Sequence, residues 1–253
     1  MSRPILPASS APRHSLVIPA YNEETYLPRL LDSVDAARGR YAGGPGAVEV
    51  VVADNASTDA TAEVARSRGC RVVRVEKRNI GACRNGGAAA ARGEVLSFVD
   101  ADSRIHPETF DAIDRALSAG RAAGGATGVR MERMSPGIAV TYLLFLPMVW
   151  ATGMDTGVVF CRRRDFETVG GYGEDRLFAE DVRFLVKLAR LGRTRGQRLV
   201  RLRGAKAVAS ARKFDRHGDW HYFRLVSRVA WCSLFAPRSL ERLAREYWYD
   251  PGR

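Results

Sequence analysis

Val95-Leu96-Ser97-Phe98-Val99-Asp100-Ala101-Asp102 is an apolar run that stops abruptly in two carboxylates one residue apart. Near-continuous apolar runs suit a strand of a parallel sheet, covered on both faces. A strand that ends in Asp-x-Asp places its acids at the carboxyl edge of the sheet, where open α/β sheets bind ligands. Two such acids repel each other unless a cation lies between them, and a divalent metal shared with phosphate oxygens is the usual solution. A solvated loop carrying two acids is the plain alternative, and Asp-x-Asp alone does not separate the two readings.

Upstream of this stretch, Ser15-Leu16-Val17-Ile18-Pro19-Ala20 reads as a short strand, followed by Tyr21-Asn22-Glu23-Glu24. Tyr26, Leu27, Leu30, Leu31 and Val34 then recur at helical spacing, with Asn22 expected as N-cap and Glu23 and Glu24 in the first turn. Val48 to Ala53 predicts a second strand, ending at Asp54-Asn55-Ala56-Ser57-Thr58-Asp59. That polar hexad is loop and cap chemistry leading into a helix from Ala60 to Arg68. Arg71 to Val75 predicts a third strand. The small residues around Asn79-Ile80-Gly81-Ala82-Cys83-Arg84-Asn85-Gly86-Gly87-Ala88 allow close packing of a helix on the sheet or near a ligand. Pro107 to Ala119 predicts another helix, with Pro early in its first turn. Strand and helix thus alternate four times, which implies a mostly parallel sheet with helices on both faces.

After Gly124-Gly125 the alternation weakens. Strands are expected over Ala126 to Met134, Val158 to Cys161, Gln197 to Leu202 and Ala205 to Ser210. Helical turns are expected from Arg162 to Val169, stopped by Gly170-Gly171, and a helix from Ala179 to Leu191, closed by Gly192. Ile138 to Ala151 is strongly apolar but too short to span a bilayer and contains Pro147. It is either a core helix or a segment that touches a membrane or a lipid-like acceptor. Asp219 to Phe235 is amphipathic, with Trp220, Phe223 and Trp231 beside Arg224 and Arg228, and Ser239 to Trp248 suits a last short helix.

Composition bounds the reading. The chain has 253 residues, 46% hydrophobic and 27% charged, which is ordinary for a globular protein with a substantial core. Cys70, Cys83, Cys161 and Cys232 are scattered, so neither a zinc site nor a disulfide framework is indicated and a reducing, cytoplasmic setting fits. Residues 1–14, rich in Pro, Ser and Arg, read as a disordered lead-in. The net charge of +12 is uneven: 18 Lys and Arg against 5 Asp and Glu lie from Val182 onward, and 22 against 23 before it. Such a surface suits nucleic acid, anionic lipid or phosphate-bearing substrates, and a solvated basic face is its plain alternative. No nucleic-acid motif accompanies it, so no specific nucleic-acid partner is expected.

Asp54 and Asp100 each follow an apolar strand, and the first strand ends at Ala20-Tyr21-Asn22-Glu23, so three loops carrying acids and amides should converge on one sheet edge. Val17 to Glu24, Asp54 to Asp59, Val99 to Asp102, Gly170-Gly171-Tyr172 and Glu180-Asp181 occur in the order that resembles family 2 glycosyltransferases, from about Ser15 to Phe214. The resemblance implies a GT-A fold: α/β, with a mostly parallel Rossmann-like sheet, helices on both faces and a mixed C-terminal acceptor part. It implies a catalytic domain over 15–214, divided into a nucleotide-binding part (15–123) and an acceptor part (124–214), with 215–253 as an amphipathic helical extension.

It also implies inverting transfer of a sugar from a UDP- or GDP-linked donor to an acceptor hydroxyl or phosphate, with Mn²⁺ or Mg²⁺ as cofactor. Asp54 would read the nucleobase. Pro19, Ala20, Tyr21, Glu23, Asn79, Arg84, Asp100 and Ala101 would line the nucleotide pocket. Asp102 and Asp100 would hold the metal. Asp181 would be the general base, with Glu180 as the alternative. Arg212 and Lys213 would meet the diphosphate, and Gly170, Gly171 and Tyr172 the acceptor. Each has a structural alternative: Asp54 and Asp59 as helix caps, Glu180 and Asp181 as first-turn acids, Arg212 and Lys213 as a solvated turn, and His217 as a surface histidine. Two rival functions stand beside this one. A nucleotidyltransferase would need a Gly-rich, cationic loop after the first strand, where this chain has acids. A non-enzymatic binder would use the basic C-terminal surface on nucleic acid or anionic membrane, and the membrane contact could also coexist with catalysis at the inner face of the membrane.

Overall fold

The computed structural model describes residues 11–143, 156–175 and 180–220. The first half runs β1 (His14–Ala20), α1 (Leu27–Arg40), β2 (Val48–Asp54), α2 (Thr61–Ser67), β3 (Arg71–Arg74), α3 (Ile80–Ala90), β4 (Val95–Phe98) and α4 (Thr109–Ser118). The second half runs β5 (Ala122–Ala126), β6 (Val129–Met131), β7 (Val159–Arg162), α5 (Arg163–Thr168), α6 (Glu180–Arg193), β8 (Arg198–Arg201), β9 (Ala207–Ala209) and α7 (Arg212–His217). Residues 136–143 are helical where they enter the undescribed segment. Most of the apolar Ile138 to Ala151 run, and nearly all of the amphipathic and terminal helices expected after Asp219, lie outside the described residues. No described helix is long and apolar enough to cross a membrane.

Seven strands form one sheet in the order β3-β2-β1-β4-β7-β5-β8, and β6 and β9 form a small parallel pair. The first four are parallel to one another, β7 is antiparallel to both neighbours, and β8 is parallel to β5. The order reverses at β1, because β2 and β3 lie to one side and β4 to the other. The crevice outside the carboxyl ends of β1 and β4 is therefore the place where such sheets take ligands.

Alternation along β1 builds both layers. Leu16 and Ile18 join the apolar cluster with α1 and α4, while Val17 joins the opposite one, with Leu185 and Leu188 of α6. Phe98, Phe110, Phe160 and Phe184 are almost wholly buried, and each such side chain contributes about 1.5–3 kcal/mol. Gly87 lets α3 lie against β1, since a Cβ there would stand 2.4 Å from Val17 Cγ1.

Two expectations change. Asn22 does not cap α1: the N-cap is Tyr26, Pro28 sits in the first turn, and no acid does. Pro28 fixes where the helix starts and releases Glu23 and Glu24 to the preceding loop. Gly124-Gly125, after which the alternation weakens, lies inside β5, a wholly buried strand. A Cβ on Gly125 would stand 1.9 Å from the Val200 carbonyl oxygen; glycine serves close strand contact here. Finally, order begins before Ser15: Arg13 O accepts from Val95 N at 3.0 Å, and His14 already pairs with Val48.

Candidate active site

Four segments meet at the carboxyl edge of the sheet. The loop after β1 brings Tyr21, Asn22 and Glu23. The loop after β2 starts at Asp54. The turn after β4 carries Asp100 and Asp102, and α6 begins with Glu180 and Asp181.

The first two loops are tied together. Among the described residues, Asn22 and Ala56 are the two non-glycine positions with left-handed backbone, φ 53° and 58°, a conformation that persists only where surroundings enforce it. Here Asn22 Oδ1 accepts from Thr58 N at 2.9 Å, and Asn22 N donates to Ser57 Oγ at 3.0 Å. Asp54 is buried, and its Oδ1 accepts from Ser57 N at 3.1 Å. It closes its own turn and does not cap α2. Asn55 anchors the same loop by donating to the carbonyls of Val75 and Lys77. Pro19 and Ala20 end β1 beyond the last residue paired with β4, so the missing N–H of Pro19 breaks no ladder there. Tyr21 lies under the Arg78 guanidinium, 4.7 Å from ring centroid to cation.

Arg84 is the hub of the second group. It sits on α3 with its side chain 5% exposed. One Nη donates to Glu180 at 2.9 Å and also to Asp181; the other donates to Asp100 at 3.0 Å. Its plane faces the Tyr172 ring at 5.0 Å. Three carboxylates against one guanidinium leave a net charge of −2 in a half-buried place. Burial pushes the Asp181 carboxyl from 3.8 up to about 7, with Glu180 and Asp100 adding in the same direction and Arg84 opposing. A carboxyl that gains and loses its proton near neutrality is suited to general-base work.

Arg212 organises the third group. Its two Nη atoms donate to the two oxygens of Glu23, each at 2.8 Å, and one lies 3.0 Å from Asp102 Oδ2. The guanidinium also covers the Tyr26 ring at 4.6 Å.

The remaining expected residues fall elsewhere. Asn79 caps α3, its Oδ1 accepting from Ala82 N at 3.0 Å. Ala101 is buried in the core between its two acids. Gly170 and Gly171 are both left-handed and end α5, with Gly171 N donating to Phe166 O. Tyr172 is buried, stacked on Phe184 at 4.4 Å and edge-on to Phe98, so its ring has no face for an acceptor. Lys213 is half-buried on α7 beside Arg212. Sequence reasoning missed Asn85, which donates to Tyr172 O and Glu174 and accepts from Tyr172 N. A strongly polar Arg-Asn pair amid small, core-type residues was the available signal.

A family model described as glycosyl transferase family 2 matches residues 15–137. A dolichyl-phosphate beta-glucosyltransferase of Drosophila melanogaster is 37% identical over 124 residues, covering 45% of this chain and 38% of that protein. The chain spans less than two fifths of the length of this and another curated relative it matches. A mannosyltransferase from Pyrobaculum calidifontis, solved with GDP-Man and Mn²⁺, has a TM-score of 0.62 and 23% identity over 78% of this chain and 56% of its own. TarS of S. aureus, solved with UDP-GlcNAc, gives 0.60 and 24% identity over 78% of this chain and 58% of its own. These structures establish the GT-A fold. The matched segment, just under half of the chain, carries the loops after β1, β2 and β4, and over it the chain is similar to glycosyl transferase family 2.

Proposed function

We propose that the chain is a metal-dependent, inverting glycosyltransferase that moves a sugar from a UDP- or GDP-linked donor to an acceptor hydroxyl or phosphate. The observation that carries this reading is the Arg84 hub, which joins Asp100 on the donor edge to Asp181 at the start of α6. A leaving-group site and a base are thereby held in one cluster. The nucleotide-bound state of the two solved relatives supports the donor class.

In this reading Asp54 accepts from a nucleobase N–H, and Ala20, Tyr21 and Glu23 line the nucleoside. Asp100 and Asp102 are the residues that would hold Mn²⁺ or Mg²⁺. Their fit rests on two features. Asp102 already faces a cation, the Arg212 guanidinium. Among the described residues no three His, Cys, Asp or Glu side chains gather into a metal cage, and a cation shared with substrate phosphates and water needs only one or two carboxylates. When bound, such a metal supplies Lewis-acid neutralisation of the charge growing on the diphosphate.

Asp181 takes the proton of the acceptor hydroxyl as its oxygen bonds to the anomeric carbon and the bond to the diphosphate oxygen breaks. Attack opposite the leaving group inverts that carbon. Glu180, on the same Arg84 nitrogen, fixes the guanidinium so that Asp181 stays aimed at the crevice. An acceptor phosphate would need no base, so dependence on Asp181 distinguishes the two acceptor classes.

The test needs no known acceptor. The chain with Mn²⁺ is incubated with UDP- and GDP-sugars, and nucleoside diphosphate release to water is followed alongside the anomeric proton resonances. Release from one donor class, with the freed sugar appearing first as the opposite anomer, is expected. First appearance of the donor's own anomer overturns the inverting step, and absence of both release and donor binding overturns the transferase reading.

A further inference from the structure

We propose that the Arg212 guanidinium is a built-in counter-cation of the donor site, which a divalent metal displaces from Asp102 as the site loads. The inference rests on the donor-site reading above but concerns a step that reading does not contain. Arg212 reaches across 189 residues of sequence to Glu23. It touches the loop after β1 through Glu23, the turn after β4 through Asp102, and the start of α1 through the Tyr26 ring. The Glu23 side chain is 7% exposed and that of Asp102 17%. Two carboxylates this enclosed require a cation, and the planar fork of arginine fits Glu23 with both nitrogens.

The charge arithmetic explains why such a device is useful. Without a cation, Glu23 and Asp102 would repel an incoming diphosphate. With Arg212 in place the crevice is closer to neutral before any metal arrives. Arg212 and a metal would draw on the same Asp102 carboxylate and repel each other as cations, so the two compete. A diphosphate that draws Arg212 away from Asp102 raises metal affinity, and by linkage the metal raises diphosphate affinity. The side chain can make this exchange while α7 stays put. Arg133 anchors α7 and the turn after it through Asp215 and Asp219, both on one nitrogen at 2.5 and 2.8 Å.

The test is Mn²⁺ binding to the full chain without nucleotide, read by electron paramagnetic resonance, in the parent and in Arg212→Gln. Apparent affinity falls with the fraction of sites that are closed. Removing the competitor is therefore expected to tighten Mn²⁺ binding about tenfold. The gain should shrink when UDP or GDP is present, because the diphosphate already draws Arg212 off in the parent. Equal or weaker Mn²⁺ binding by a folded Arg212→Gln overturns the exchange.

Because that variant also removes the two hydrogen bonds that Arg212 gives Glu23, a second measurement uses the parent alone. The Arg212 guanidinium resonance, assigned by nitrogen NMR, should shift on addition of Mg²⁺; no shift while Mg²⁺ binds overturns the exchange. If the parent binds neither Mn²⁺ nor nucleotide, the donor-site reading falls and the exchange with it. If both bind and Arg212 does not respond, the exchange alone falls.

Discussion

Replacing Asp181 with Asn is expected to lower transfer about a thousandfold while nucleotide binding changes by about twofold or less. A positioned general base contributes about 10²–10⁴ in rate, and Asp181 touches Arg84 rather than the nucleotide edge of β1 and β2. The variant should also melt higher than the parent at pH 8. The native carboxyl is held near 7 against 3.8 in an open chain. The native state therefore keeps a proton that the unfolded chain has lost, so the stability tied to that proton is fully present below about 4 and lost as pH rises through about 7. Asn carries no charge to bury and escapes that loss. Activity and stability should thus move in opposite directions, as happens where a site is built against its own folding. In the parent, kcat/KM should rise with pH and level off above about 7, because only the ionised carboxylate accepts a proton. Equal loss of binding and transfer in Asp181→Asn would make the residue a structural anchor.

Arg84→Met should be the most damaging change to the fold. It leaves Asp100, Glu180 and Asp181 facing one another without the guanidinium that all three share. Breaking a buried ion pair by removing one partner costs about 3–5 kcal/mol. Arg84→Lys keeps the charge but has one nitrogen where three carboxylates bind a two-nitrogen fork, so it should fold and transfer slowly. Chemical denaturation at pH 5 and pH 8 checks the cause. The loss in Arg84→Met should be larger at pH 8, where Asp181 is ionised; a loss independent of pH would mean that packing against Tyr172, not charge, dominates.

The acidic carboxyl edge of the sheet was legible in the sequence because its logic is local. An apolar strand that ends in an acid declares both its burial and the edge it points to, and Asp54 and Asp100 stand at such ends. The parallel alternation of the first half followed from the same pattern. What was not legible depends on distant partners. Glu180 and Asp181 lie 96 and 97 residues from Arg84, so nothing local tells that an arginine among alanines and glycines is their clamp. Glu23 resembles a first-turn acid until Pro28 sets the start of α1 and Arg212 claims its carboxylate. The alternation weakens at Gly124-Gly125, and only the closeness of Phe160 and Val200 shows that a strand there had to lack side chains. The burial of Tyr172 was not legible either, because it comes from Phe98, Phe166 and Phe184 closing over it.

The central claim, a metal-dependent nucleotide site at the ends of β1, β2 and β4, is tested most directly by melting temperature. The chain and its Asp102→Ala variant are each melted with UDP, GDP, dTDP and CDP, with and without Mn²⁺. A ligand at a hundred times its Kd adds about 2.7 kcal/mol to the native state, which for a chain of this size is a shift of about 5–10 °C. The account predicts such a shift for UDP or GDP with Mn²⁺ in the parent, and its loss in Asp102→Ala. No shift with any nucleotide, or an undiminished Mn²⁺-dependent shift in the variant, would contradict it.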